Sequence, residues 1–268
     1  MLALPRKADA RDGVVGTQRR GKTAVLDSRK RSRALLITAL VVSILLLLLC
    51  SLMVGSRAIP LSELFAAIFQ GGEAEIENIV WDLRIPRTFL AYFAGAAIAV
   101  SGVIAQSWTR NPLADPGFIG ITAGASFLVA LGTTLGIATS TGARTALALL
   151  GAGLATALVL GVSRRFQDPL TLVLVGAGVA AALSSGAMLI GLYSTDVLDS
   201  MRRWTIGSTF GRGPEDVAIA GVGLFIGLII AARVARPLDL LAMGEESSVA
   251  LGGSPTLARR GAALSIVV

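Results

Sequence analysis

The stretch Arg110-Asn111-Pro112-Leu113-Ala114-Asp115-Pro116-Gly117 lies between two long apolar segments, residues 88–108 and 118–136. Its two prolines and its glycine interrupt a helix, because proline lacks the backbone N–H that a helix interior needs and glycine favours turns. Asn111 and Asp115 carry side-chain oxygens that accept hydrogen bonds from backbone N–H groups at turns and helix starts. The stretch therefore predicts a tight connection between two apolar helices.

The composition is that of a protein that crosses a membrane several times. The chain has 268 residues, of which 54% are hydrophobic and 15% are charged, whereas soluble domains carry about 25% charged residues. The charges are clustered, which leaves several apolar runs of about 18 residues or more, long enough to span a bilayer as helices. The sequence therefore predicts an all-α membrane protein, a polytopic bundle of transmembrane helices.

About seven spans are predicted, the last of them incomplete. The first, residues 34–54, has no charged residue. The others are residues 88–108, 118–136, 144–162, 170–192, 217–232 and 256–268. Residues 59–70 are weakly amphipathic, which favours a helix lying along the membrane interface.

Residues 1–33 form a basic tail that holds ten of the 24 lysines and arginines. The tail lacks apolar periodicity, so we predict that it is disordered. Its charge predicts a cytoplasmic N-terminus near anionic lipid, and no nucleic-acid partner. Residues 16–23 fit the phosphate-loop pattern G-x-x-x-x-G-K-[ST], but no buried strand precedes them, so no nucleotide site is predicted there.

The cysteine and histidine content and the lack of charged residues within the complete predicted spans argue against several kinds of site. The chain has one cysteine, Cys50, and no histidine, which argues against an internal disulfide and against a zinc, haem or copper site built by the protein. No charged residue lies in the middle of the six complete predicted spans, where proton- or sodium-driven transporters usually place ionisable groups. A secondary transporter therefore remains only an alternative, and the driving energy is expected to arrive through a loop.

Several motifs together make the chain resemble one family. The segments that carry the resemblance are, in order, Arg84-Ile85-Pro86-Arg87, Ser101-Gly102, Gln106, Arg110 to Pro116, Gly120 and Gly124-Ala125. They are similar to the permease subunits of bacterial ABC importers for ferric siderophores, haem and cobalamin, the FecCD and BtuC type. The resemblance covers residues 34–268. Family members have ten transmembrane helices, so we expect that the last ones are missing here, either in a truncated product or in an incompletely recorded sequence.

The resemblance implies a contact with a partner protein at each membrane face. Arg84 and Arg87, at the outward mouth, would receive acidic side chains of an extracytoplasmic substrate-binding protein, because arginine offers carboxylates a planar, permanently charged fork. Anchoring to lipid headgroups is the alternative for these two residues. Trp204, Gly207 and Ser208 match a further family segment, whose role is structural or path-lining.

Residues 236–254 resemble the cytoplasmic coupling helices that dock into an ATP-binding cassette ATPase. They predict two short helices broken at Gly244; a solvated connecting helix is the alternative. Met243 and the Ser248-Val249 pair depart from the family pattern. The residues expected to carry coupling are Leu241, Gly244, Glu245, Glu246, Ser248, Leu251 and Gly252.

The function that the resemblance implies is that of a permease subunit in an ATP-driven importer of ferric siderophores, in the cytoplasmic membrane. Cobalamin and haem are the alternative cargoes. The chain would catalyse no covalent step and bind no cofactor, since ATP would be used by the partner ATPase. A second permease copy or a paralogue would complete the translocation path, within the lipid bilayer.

Overall fold

The computed structural model describes residues 10–163, 169–192, 197–199, 202 and 206–268. Within these ranges every regular element is a helix, which confirms the all-α prediction. Trp204, the predicted connection at residues 164–168 and the first nine residues lie outside the described residues. The chain divides into two compact units, Met1–Ile76 and Glu77–Val268.

The first unit contains α1 (Ala10–Met53), α2 (Leu61–Phe69) and the start of α3 (Ala74–Asn78). The apolar part of α1 exposes most of its side chains, including Leu36 at 70% and Leu47 at 63%, as expected for a helix surrounded by lipid. Helix α1 begins at Ala10, so the structure differs from the predicted disorder of residues 10–33. An apolar span can nucleate a helix, after which each added residue contributes one hydrogen bond, and the helix extends into the polar sequence.

Helix α2 coincides with the predicted interfacial segment. Leu64 and Ala67 are buried, whereas Leu61, Phe65 and Phe69 are exposed. The rings of Phe65 and Phe69 lie 4.8 Å apart between centroids. The helix is therefore two-sided, the pattern of an element that lies at a boundary.

The second unit contains the remaining described helices. They are, in order, a π-helical turn (Ile79–Arg84), α4 (Ile85–Thr109), a 3-10 turn (Pro116–Ile119), α5 (Ile121–Thr134), α6 (Thr141–Ser163), α7 (Pro169–Gly191), α8 (Pro214–Ala242), α9 (Glu245–Ala250) and α10 (Pro255–Val267). Helix α5 packs against α6 and α7, and α10 packs against α8, α4 and α6. We call the end of this unit that holds residues 110–117 the turn end. The opposite end of α4, which holds Arg87, is the mouth end.

Five helices among the described residues are long and apolar enough to cross a membrane. They are Arg31–Met53, Ala74–Thr109, Thr141–Val162, Thr171–Gly191 and Pro214–Ala242. The prediction of a complete span at residues 118–136 is wrong, because α5 has only 14 residues, about 21 Å at ~1.5 Å per residue. The first apolar residues of that run belong to the 3-10 turn instead, and the helix ends at Thr134.

The core of the second unit lies at the turn end, where α4, α8 and α10 meet. Its residues are Ile104, Ala105, Trp108, Ile119, Val159, Leu172, Val234, Leu238, Leu241, Ala258, Ala262, Ala263 and Ile266. The alanines of α10 allow a close approach to α8, and a Cβ added at Gly261 would overlap the side chain of Val234. A buried hydrogen bond from Ser265 Oγ to the carbonyl oxygen of Gly227, 3.0 Å long, also joins the two helices.

Small residues set one helix crossing in particular. A Cβ added at Gly124 of α5 would overlap the carbonyl oxygen of Gly151 in α6 and would lie 2.6 Å from Ala155 Cβ. This is the close approach that small-xxx-small spacing permits in lipid. At Gly95 and Gly102 of α4, by contrast, an added Cβ would meet no described atom within 4 Å, so those two glycines do not mark a crossing with another described helix.

Candidate functional site

The 110–117 turn is braced by its own side chains. Asn111 Oδ1 accepts a hydrogen bond from the Leu113 N–H at 2.9 Å, and Asp115 Oδ1 accepts one from the Gly117 N–H at 2.7 Å. These contacts confirm the predicted bracing roles of Asn111 and Asp115. Arg110 ends α4 in a left-handed conformation with φ of 53°, which few non-glycine residues adopt. The turn leaves Leu113 89% exposed at its tip.

The turn and the coupling segment share one core. Ala114 packs against the cluster that contains Trp108 and Ile119 from the turn side and Leu238 and Leu241 from α8. Two segments that lie more than a hundred residues apart in sequence therefore pack against the same core at the turn end.

The predicted pair of coupling helices is half correct. The break at Gly244 is confirmed, with φ of 113° and ψ of 151°, a region that residues with a Cβ avoid. The first helix is not separate, however, because α8 runs through Pro237 to Ala242. Leu238 and Leu241 continue the buried face of α8 onto the core, and this burial keeps the segment helical although Pro237 removes a backbone donor.

Of the seven predicted coupling residues, two are buried, three are exposed, and Gly244 and Glu245 are partly buried. Leu241 and Ser248 are 2% and 1% exposed, so they face the protein interior and are not available to a partner. Glu246, Leu251 and Gly252 are exposed. The predicted contact surface therefore keeps only part of its residues.

Two exposed apolar residues and one ion pair were missed from the sequence. Met243 is 65% exposed and Val249 is 59% exposed, beside Leu251 at 60%. Glu245 Oε2 lies 2.8 Å from Arg259 Nη2, which ties α9 to α10. Met243 and Val249 are positions at which the chain departs from the family pattern. That departure was the feature of the sequence that could have pointed to them. Arg259 lies in the predicted span at residues 256–268, and nothing in the sequence indicated that it forms an ion pair.

The mouth end presents only one of the two predicted docking arginines. Arg87 is exposed, and its Nε donates a hydrogen bond to Thr209 Oγ1 at 3.1 Å. Arg84 is 9% exposed, which corrects the expectation that both guanidinium groups face a partner. Arg84 ends the π-helical turn, whose wider turn rotates the residues before α4 relative to the face of α4.

The loop before α8 completes the mouth end. Residues Asp199, Arg202, Ile206, Gly207 and Ser208 line an open cavity of about 320 Å³. Predicted residues Gly207 and Ser208 thus lie beside charged side chains. Arg212 Nη1 lies 3.3 Å from Asp216 Oδ1, and the Gly213 N–H donates to Asp216 Oδ2 at 3.0 Å, so the loop is anchored on the first turn of α8.

Comparisons with known proteins agree on a family. The sequence model of the FecCD transport family matches residues 42–268. The ferric enterobactin transport system permease protein of Escherichia coli is 31% identical, with 82% of this chain and 67% of the relative covered. The iron(3+)-hydroxamate import system permease protein of Bacillus subtilis is also 31% identical, over 75% of this chain and 53% of the relative.

The names of the relatives indicate different cargoes, and one solved structure has a similar fold. The vitamin B12 import system permease protein of Klebsiella pneumoniae is 32% identical, over 84% of this chain and 66% of its own length. A solved metal-chelate type ABC transporter in an inward-facing conformation shares the fold, with a TM-score of 0.73, 24% identity, and 87% of this chain and 74% of that chain covered. The chain spans between about half and two thirds of the length of these three curated relatives. With the family model matched from residue 42 to residue 268, the chain belongs to the FecCD transport family.

Proposed function

We propose that this chain is the permease subunit of an ATP-driven importer that moves ferric siderophores across the cytoplasmic membrane. The observation that carries the proposal is the exposed helix α9, which is set off from α8 by the break at Gly244 and tied to α10 by the Glu245–Arg259 ion pair. A short exposed helix fixed to two helices of a membrane-spanning unit can transmit force from a soluble partner. Family membership and the siderophore-related names of two relatives support this choice.

The ATPase partner would dock on α9 and its flanks. Met243, Val249 and Leu251 offer an apolar contact surface there, and exposed apolar side chains that lie together at a polar end of a membrane protein favour a protein partner. Leu241 and Ser248 are buried and would support this surface from the protein interior. ATP would be bound and hydrolysed by the partner, and this chain would hold no cofactor of its own.

Movement of α9 would reach the translocation path through α10. Helix α10 packs against α8, α4 and α6, so a displacement of α9 is passed to three spans at once. The two states of the importer would differ in their affinity for the ATPase in its ATP-bound form, because a ligand shifts an equilibrium only through differential binding. Alternating access would therefore be a shift between these two states that the ATP-bound ATPase brings about.

The extracytoplasmic binding protein would dock at the mouth end. Arg87 is exposed there and suits a carboxylate of that partner. Arg84 would support the site from the buried side. A second permease copy or a paralogue would line the other half of the path, and the basic tail would keep the N-terminus in the cytoplasm near anionic lipid.

Cobalamin is the second candidate cargo, because a vitamin B12 permease is 32% identical to this chain. Haem is a third, on family resemblance. A secondary transporter, the alternative from another class, is disfavoured by membership of the FecCD family.

Uptake by whole cells would test the function and the cargo together. Cells that lack this gene would be supplied with labelled iron as ferric siderophores, with labelled cobalamin and with labelled haem, and a restored gene would serve as the control. We expect the loss of ferric-siderophore uptake, recovered on restoration. Loss of cobalamin or haem uptake alone would change the cargo, and normal uptake of all three would contradict the proposal.

A further inference from the structure

The loop of residues 206–213 carries an apolar side chain in an unusual position for the mouth end. Phe210 is 84% exposed and Ile206 is 75% exposed, although neither lies in a membrane-spanning helix. We infer that Phe210 is an apolar anchor for the extracytoplasmic binding protein, placed beside the docking arginine Arg87. The inference rests on the proposed function and adds to it a contact residue and the chemistry of the partner surface.

The loop holds Phe210 in a defined position. The Phe210 N–H donates a hydrogen bond to Ser208 Oγ at 3.0 Å, which closes a tight turn of the kind that serine side chains form. Gly211 follows with φ of 68°, a conformation that glycine adopts without strain. The Arg212–Asp216 ion pair fixes the far side of the loop to α8. The backbone of such a loop loses little conformational entropy when a partner covers it.

Thr209 connects this loop to Arg87. Its hydroxyl oxygen accepts the hydrogen bond from Arg87 Nε at 3.1 Å, and it directly precedes Phe210 in the chain. Among the described residues, Nε is the engaged group of Arg87, which leaves the Nη1 and Nη2 edge of the guanidinium for a carboxylate. Thr209 is therefore a positioning residue, because it holds Arg87 against the loop that carries Phe210.

The surroundings of Phe210 fit a protein partner better than they fit lipid. The loop around it is polar, with Thr209 and Arg212 adjacent and with Asp199 and Arg202 lining the neighbouring cavity. An apolar or aromatic centre within a polar rim is the usual anatomy of a protein interface. Because the exposed positive charge of Arg87 favours carboxylates, the partner surface should combine a small apolar pocket with acidic side chains on its rim.

The test uses the assembled importer, with its ATPase, in lipid nanodiscs. The probe is the purified substrate-binding protein encoded with this permease, and its affinity and dissociation rate are measured by biolayer interferometry. Phe210→Ala should weaken binding about 10- to 30-fold, mostly through faster dissociation, as expected for loss of one buried aromatic anchor. Phe210→Tyr should stay within about threefold, since it keeps the ring.

Two further variants separate positioning from general damage. Thr209→Val removes the hydroxyl at nearly constant shape and should weaken binding about two- to fivefold. Thr209→Ser keeps the hydroxyl and should bind like the wild type. Leu135→Ala is the matched control, because Leu135 is 63% exposed at the C-terminal end of α5 and lies outside the loop. It should leave the affinity unchanged. Size-exclusion profiles and basal ATPase activity confirm that each variant is assembled.

Each contrary outcome has a distinct meaning. If Phe210→Ala binds like the wild type while Arg87→Ala binds weakly, the inference is overturned and the proposed function stands. If Phe210→Ala splits the permease pair but leaves the affinity intact, Phe210 contacts a second copy of the chain and the inference is equally wrong. If the wild-type importer itself fails to bind the probe, the proposed function falls and the inference falls with it.

Discussion

Replacing Gly124 by alanine tests the helix packing on which the second unit depends. Gly124 lies where α5 crosses α6, and its added Cβ would overlap the carbonyl oxygen of Gly151 and approach Ala155 Cβ to 2.6 Å. Real Cβ atoms essentially never come within 3.0 Å of such neighbours. The obstructing atoms are backbone and a Cβ, which cannot turn aside by a rotamer change, so the two helices must separate.

The cost of that separation follows from the weaker dispersion attraction between the two helices. A gap of about 0.5–1 Å forfeits a quarter to a half of the attraction between each pair of touching atoms at the crossing, and overpacking of this kind typically costs about 1–3 kcal/mol. Alanine returns up to about 1 kcal/mol through its higher helix propensity. We therefore expect a net loss of about 1–2 kcal/mol, which for a domain of this size lowers Tm by about 2–8 °C.

The assay is thermal unfolding of the purified protein in detergent, followed by fluorescence-detected size exclusion. Gly153→Ala is the matched control, because Gly153 lies in α6 but an added Cβ would meet no described atom within 4 Å. That variant should be neutral or slightly more stable. Gly124→Ala and Gly151→Ala should each destabilise, and the double variant should cost less than their sum, since the helices separate only once. Equal stability of Gly124→Ala and Gly153→Ala would refute the packing argument.

Three further predictions concern the coupling segment. Gly244→Ala should cost about 1–3 kcal/mol, because φ of 113° with ψ of 151° is a conformation that is essentially restricted to glycine. It should reduce transport more than ATPase assembly, as judged by uptake and by co-purification. Reversing the charge of Glu245 or of Arg259 alone should reduce transport, and exchanging the two residues should restore it. The free energy of unfolding should change by less than about 1 kcal/mol, because the pair is partly exposed. Ser248→Ala should be neutral or stabilising by up to about 1 kcal/mol in the same unfolding assay, since the buried hydroxyl has no hydrogen-bond partner among the described residues; clear destabilisation would show that the hydroxyl is in fact satisfied.

Apolar periodicity and length predicted most of the spans. The long uncharged runs correspond to α1, α4, α6, α7 and α8, because a run of that length has few alternatives to a helix in lipid. The bracing of the turn by Asn111 and Asp115 was also predictable, since these side chains act on the backbone two residues away. Such local chemistry is fully contained in the sequence.

Features that depend on tertiary contacts were not predictable. Helix α8 continues past Pro237 because Leu238 and Leu241 meet residues from α4 and α10, which no local pattern reveals. The hydrogen bond between Arg87 and Thr209 joins residues 122 positions apart. The sequence alone therefore predicted candidate contact residues at both ends, and the structure shows which of their side chains are exposed.

The central claim is that this chain works in an importer driven by ATP. The most direct test is uptake of a labelled ferric siderophore into proteoliposomes that contain the full assembly with its binding protein, with ATP supplied on the ATPase side. If the importer is driven by ATP, uptake requires both ATP and the binding protein and does not follow an imposed proton or sodium gradient. Uptake that such a gradient drives without ATP would show that the energy comes from the gradient instead.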